Sequence, residues 1–127
     1  MSSPESNRQV GIASERLAER HLVATGHVTI ARNLRVARDE LDLVMLAPDR
    51  RTVVVVEVKS SASGLAAASA LLDRRKRHRI ARAVRTLESL GLLGGRPVRL
   101  DAVFVTGSGR NLRLKHHRGR TLPAPFA

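Results

Sequence analysis

Leu41-Asp42-Leu43-Val44-Met45-Leu46, Ala47-Pro48-Asp49-Arg50-Arg51 and Thr52-Val53-Val54-Val55-Val56-Glu57-Val58-Lys59 follow one another without a gap. The outer pieces are rich in branched apolar residues and the middle piece is a turn signature, so the stretch predicts a β-hairpin. The Val53–Val56 run is apolar at every position, as in a strand covered on both faces. Helices must therefore pack on the sheet to which this hairpin belongs. Glu57 interrupts the apolar run, and a charge at such a position needs a partner or a task.

Working outward, Gln9 to Thr25 carries Ala13, Leu17, Ala18 and Leu22 at helical spacing, with Gly26 as a stop. His27 to Leu34 reads as a short strand, and Arg35 to Asp39 as a polar connector. After the hairpin come a loop at Ser60 to Gly64 and an Ala-rich segment, Leu65 to Leu72. A helix is predicted from Asp73 to Leu90, with Ile80, Ala83, Val84, Leu87 and Leu90 as its apolar positions and Gly91, Gly94 and Gly95 after it. Val98 to Val105 and Leu112 to His116 are two more strands. The expectation is an α/β domain, a mixed β-sheet flanked by helices in the order α-β-β-β-α-β-β. Residues 1–8 are expected to be a disordered leader and 9–127 a single domain.

The 127 residues suffice for one core, and 43% hydrophobic content marks a folded domain rather than a basic tail. The net charge of +12 points to polyanionic partners, nucleic acid above all. Cysteine is absent, which excludes disulfides and thiolate zinc sites. Neither a signal peptide nor a spanning run is visible, so a cytoplasmic protein without a membrane partner is expected. Phe104 and Phe126 are the only aromatics, too few for base stacking, so nucleic acid would be gripped through its phosphates. Of the 23 basic residues only Lys59, Lys76 and Lys115 are lysines.

Side chains alternate along a strand, so Glu57 and Lys59 share one face, and Glu40 and Asp42 are expected to share a face of the preceding strand. A hairpin closing symmetrically about Asp49 and Arg50 sets Leu46 opposite Val53, Val44 opposite Val55, Asp42 opposite Glu57 and Glu40 opposite Lys59. Opposed Cβ atoms lie roughly 4.5–5.5 Å apart, and two carboxylates that close repel without a cation between them. Hard oxygen ligands favour Mg²⁺ or Mn²⁺, with Asp42 and Glu57 as the metal ligands. Lys59 could then orient a water, lower its pKa or stabilise charge on a phosphate. Glu15 lies on a helical stripe with Gly11, Ala18 and Leu22 that turns toward the sheet. Plain ion pairs of Lys59 with Glu57 or Glu40, and a Glu15 that snorkels at the rim of the core, account for the same pattern.

Asp42 followed across a short hairpin by Glu57-Val58-Lys59 resembles the core motif of the PD-(D/E)XK nuclease superfamily. The surrounding Gly11-Ile12-Ala13-Ser14-Glu15-Arg16-Leu17-Ala18, Arg32-Asn33-Leu34-Arg35, Asp39-Glu40-Leu41-Asp42-Leu43-Val44 and Arg99-Leu100-Asp101-Ala102-Val103 resemble the YraN-like family of small bacterial proteins, related to Holliday-junction resolvases. The resemblance implies a restriction-endonuclease-like fold and metal-dependent phosphodiester cleavage. Asp42 and Glu57 match the metal-binding acids, Lys59 the catalytic lysine, and Glu15 and Glu40 two further acids of the catalytic set. Ser14, Asp39 and Ser61 depart from the residues usual in the family. By analogy with resolvases a homodimer is implied.

Arg74, Arg75, Lys76, Arg77, Arg79, Arg82 and Arg85 concentrate positive charge on the second helix and are candidates to bind nucleic acid, most readily DNA. Lys76 differs from the rest, because it shares the stripe of Ile80, Ala83 and Leu87 and so points to the core or a cleft. The sequence favours an endonuclease-like protein acting on structured or duplex DNA. A catalytically silent nucleic-acid-binding module, or a basic scaffold for an acidic protein partner, would use the same basic surface.

Overall fold

In the computed structural model, residues 4–61, 74–107 and 109–122 are described. Helix α1 spans Pro4–Ala24, followed by strands β1 (Val28–Val36), β2 (Asp39–Leu46) and β3 (Val53–Ser61). Helix α2 (Arg74–Ser89) then precedes β4 (Val98–Thr106) and β5 (Arg113–His117). The strands form one sheet in the order β1-β2-β3-β4-β5, antiparallel except for the parallel pair β3 and β4. This is the expected α/β order. The Ala-rich segment 65–72 lies outside the described residues.

The helices cover opposite faces. Along β3, Val53 and Val55 join Ile80, Ala83, Val84 and Leu87 of α2, whereas Val54 and Val56 join Ala18 and Leu22 of α1. The valine run is the consequence, since each buried branched side chain contributes about 1.5–3 kcal/mol and both faces must be filled. The α2 stripe holds from Ile80 to Leu87, but Leu90 lies beyond the helix and is 65% exposed.

Several boundaries differ from the sequence reading: β2 already starts at Asp39, β3 runs on to Ser61, and the start of α1 and the end of β1 also shift. Helix α1 begins at Pro4, so residues 4–8 are helical rather than a disordered leader. Proline without an amide hydrogen is well suited to a first helical position. Strand β1 continues to Val36, and the turn into β2 is tight enough to place Ala37 at φ 55°.

The hairpin of β2 and β3 has the symmetric register: Leu46 faces Val53, Met45 faces Val54, Val44 faces Val55 and Leu43 faces Val56. Its turn is fastened by Asp49, whose Oδ1 accepts hydrogen bonds from the amides of Arg51 (2.8 Å) and Thr52 (2.9 Å). The ladder ends at Leu43 and Val56, while β3 continues beside β4 to Ser61. Where β2 and β3 part, a fork opens, and Asp42 and Glu57 are the next residues on its two arms.

Candidate active site

Asp42 closes the fork with its side chain, its Oδ2 accepting a hydrogen bond from the Val58 amide at 2.9 Å. The carboxylate thus replaces a ladder contact that β2 no longer makes. Alternation also breaks here, because Leu41 packs in the α2 cluster and Leu43 in the α1 cluster. Across β1, the residue flanked by the pairs Arg32–Leu43 and Leu34–Leu41 is Asn33, held at φ 48°. Asn tolerates this left-handed geometry better than most residues. Asp42 and Glu40 both act on Glu15 of α1, the larger effect being that of Asp42. Glu40 is paired in register with Arg35 on β1, and because the β2–β3 ladder has ended at Leu43 and Val56 it has no register partner at Lys59.

Glu57 is 2% exposed and lies on the α2 face of β3, as the alternation of Val53 and Val55 requires. Burial and the facing charge of Asp42 push its carboxyl up to about 7, against the opposing pull of Lys76, and a hydrogen bond between the two acids adds to the rise. Two carboxyls sharing a site stabilise the protonated form of one of them. Lys76 of α2 approaches from above, its Nζ 3.0 Å from Glu57 Oε2. Helical side chains lean toward the N-terminus, so a residue one turn before Ile80 reaches past the packed stripe to the fork.

Lys59 occupies the same face as Glu57 and lies beside Lys76. Burial and then the neighbouring Lys76 lower the Lys59 pKa; in Lys76 burial is outweighed by the neighbouring Lys59 and the charge of Glu57, and the pKa rises. Burial raises the Glu15 pKa, as does the charge of Asp42, while a hydrogen bond from Asn33 opposes the shift. Glu15 and Asn33 line a cavity of about 230 Å³ with Ile12, Arg16, Glu19, Arg32 and Leu43.

Asn33 is the site residue that sequence reasoning missed. Its signal was an Asn inside a strand, a residue type disfavoured there unless the backbone needs it.

On α2, Arg75, Arg77, Arg79 and Arg85 are exposed and Arg74 is the first helical residue. Two members of the expected phosphate-binding set stand apart. Lys76 enters the fork, and Arg82 is engaged by Asp39 through Nε (3.0 Å) and Nη2 (2.8 Å), a bidentate pair.

A second buried acid, Asp101, lies opposite Val56 in the β3–β4 register and therefore on the face away from Glu57. It accepts hydrogen bonds from Arg99 Nε (2.8 Å), Arg99 Nη2 (2.9 Å) and the Gly119 amide (3.1 Å), and its Oδ2 is 2.7 Å from His116 Nε2. Although burial acts the other way, these partners hold its pKa down at about 2. His27, 7% exposed, packs near by with its Nδ1 3.1 Å from the Leu22 carbonyl, closing the end of α1.

Among the described residues, no group of three or more His, Asp or Glu side chains is arranged to hold a metal ion by itself. No helix among them is long and apolar enough to cross a membrane.

These features define a small α/β protein with an acid and lysine cluster set in the fork of its central hairpin. The chain belongs to the uncharacterised protein family UPF0102, whose profile matches residues 14–105. This is the YraN-like family to which the motifs pointed. It is similar to a UPF0102 protein of Pseudomonas aeruginosa (strain LESB58), 43% identical over 112 residues that cover 85% of this chain and 86% of the relative. A UPF0102 protein of Nitratidesulfovibrio vulgaris (strain DP4) is 41% identical over 96 residues, covering 75% and 70%. One from Saccharophagus degradans is 38% identical over 104 residues, covering 79% and 85%.

Proposed function

We propose that the chain is a metal-dependent endonuclease that hydrolyses phosphodiester bonds of duplex or structured DNA, with the fork as its active site. The observation that carries this reading is Glu57, a carboxyl 2% exposed, set against Asp42 and met by the Lys76 amine, with Lys59 on the same face of the strand. A buried acid with a raised pKa beside a second acid marks a place where a further cation is welcome.

Asp42 and Glu57 would hold the ion. Both are hard oxygen donors, and Mg²⁺ habitually takes only one or two protein carboxylates, filling its shell with water and substrate phosphate. The donor set therefore fits Mg²⁺ or Mn²⁺ without a third protein ligand. Bound there, the ion would act as a Lewis acid toward the phosphate. Lys59 would orient the attacking water and stabilise the charge that develops on the phosphate as the new P–O bond forms and the scissile P–O bond breaks, the proton of the water passing to solvent and the leaving oxygen taking one from it. Glu15 and Glu40 extend the acidic patch on the α1 side of the fork. The exposed arginines of α2 supply phosphate contacts beside it, and the scarcity of aromatics favours a backbone-read duplex over a stacked single strand.

The test is incubation of the protein with branched, flapped and linear DNA in Mg²⁺ or Mn²⁺, beside Glu57→Ala and Lys59→Ala. Cutting by the wild type that both substitutions abolish is expected. Absence of cutting by the wild type, with DNA binding undiminished in both variants, replaces the enzyme with a silent binding module. Binding indifferent to salt removes nucleic acid as the partner and leaves the acidic protein.

A further inference from the structure

The cation at Glu57 is supplied by the chain itself. Lys76 Nζ lies 3.0 Å from Glu57 Oε2, with the Lys76 side chain 19% exposed and that of Glu57 3%. Its charge interacts favourably with Asp42 as well as Glu57, so one ammonium serves both acids. Two cations cannot approach one carboxylate oxygen at contact distance without strong mutual repulsion in so buried a place.

We propose that Lys76 is a resident latch on the acid pair: its ammonium occupies the Glu57 end of the fork and must leave Glu57 for a divalent ion to enter. The proposal rests on the metal-site reading above and assigns to this chain's own lysine the control of loading. Movement is within reach of the side chain alone. The helix backbone is fixed by Ile80, Ala83, Val84 and Leu87 against the sheet, whereas Lys76 lies one turn beyond that packed stripe. Four rotatable side-chain bonds let the ammonium swing from Glu57 toward the exposed face of Arg75 and Arg79, where a DNA phosphate offers it a new partner.

The latch accounts for the otherwise unexplained division of labour between two lysines on one acid pair. Lys59 shares the strand and the face of Glu57, whereas Lys76 reaches the acid pair from the helix, beside the exposed Arg75 and Arg79. A metal-free fork is thereby kept from exposing two unneutralised carboxyls, and ion entry is coupled to the arrival of a phosphate.

Mn²⁺ binding to the whole protein, followed through the electron paramagnetic resonance signal of the free ion, tests this without any cleavage. Wild type, Lys76→Met, Lys76→Gln and Glu57→Gln are compared, with circular dichroism confirming that each is folded. The latch requires Mn²⁺ to bind about tenfold or more tightly when either substitution removes the ammonium, and to bind more weakly in Glu57→Gln. Equal or weaker binding by both folded Lys76 variants, with Glu57→Gln still impaired, overturns the latch and leaves the metal site standing. Absence of Glu57-dependent binding in every protein overturns the metal site and the latch together.

Discussion

Asp101 and Glu57 are both buried carboxyls in the middle of the sheet, 0% and 2% exposed, on neighbouring parallel strands. Asp101 is held down at about 2 by an arginine fork, a histidine and a backbone amide; Glu57 is pushed up to about 7 by burial and a second acid, against Lys76. Burial is common to both, so it does not separate a structural acid from a functional one. What separates them is how fully the neighbours satisfy the negative charge. Asp101 ties β4 to β5 and to Gly119, and its environment requires it ionised. Glu57 keeps a raised pKa even with Lys76 3.0 Å away, so its charge is satisfied less fully.

The sharpest way to break this contrast is to remove each charge while keeping shape. Glu57→Gln is expected to lower metal-dependent DNA cleavage by about a hundredfold or more, as loss of a group acting on developing charge does. Its urea unfolding free energy should stay within about 1 kcal/mol of the wild type, because the group it replaces is already inclined to be neutral. Asp101→Asn should do the reverse in kind, costing about 3–5 kcal/mol of stability by stranding Arg99. Equal destabilisation by the two substitutions would dissolve the distinction.

The two acids also predict opposite responses to pH. The folded-state pKa of Asp101 lies below its ordinary 3.8, so its contribution is present above that value and is lost as pH falls through about 2. Glu57 has a folded-state pKa above its ordinary 4.5, so its contribution is full below 4.5 and is lost as pH rises through about 7. Stability measured at pH 5 and at pH 8 should therefore fall more in the wild type than in Glu57→Gln. Parallel changes in the two proteins would contradict the assignment.

A smaller contrast of the same kind lies on α2. Arg85 is exposed, whereas Arg82 is spent on Asp39. Arg85→Ala should reduce the slope of log DNA affinity against log salt by about 0.9, the contribution of one phosphate contact, and Arg82→Ala should leave it nearly unchanged. Filter binding across a salt series reads both.

Much of this was legible in the sequence because it followed from local rules. The Asp49 turn closes symmetrically, and with the register fixed, alternation places Glu57 and Lys59 together on the α2 face. The stripe from Lys76 to Leu87 likewise carried Lys76 into the fork. Other features depend on tertiary geometry that spacing does not encode. The end of the β2–β3 ladder at Leu43 and Val56, which leaves Glu40 without a register partner on β3, is one of them. The Asp39–Arg82 pair joins residues far apart in the chain, and charge composition alone placed Arg82 with the phosphate binders. The early start of α1 was hidden by Ser2, Ser3 and Ser6, which resemble a frayed leader until Pro4 is read as a helix start.

Glu57 is a buried carboxyl whose pKa is pushed up to about 7, and the proposed site requires a divalent ion to bring it down. A carbon-13 NMR titration of its side-chain carboxyl, with and without Mg²⁺, measures this directly. The account predicts a midpoint near 7 that Mg²⁺ moves down by about one unit or more. A midpoint in the ordinary range near 4.5, unmoved by Mg²⁺, would contradict it.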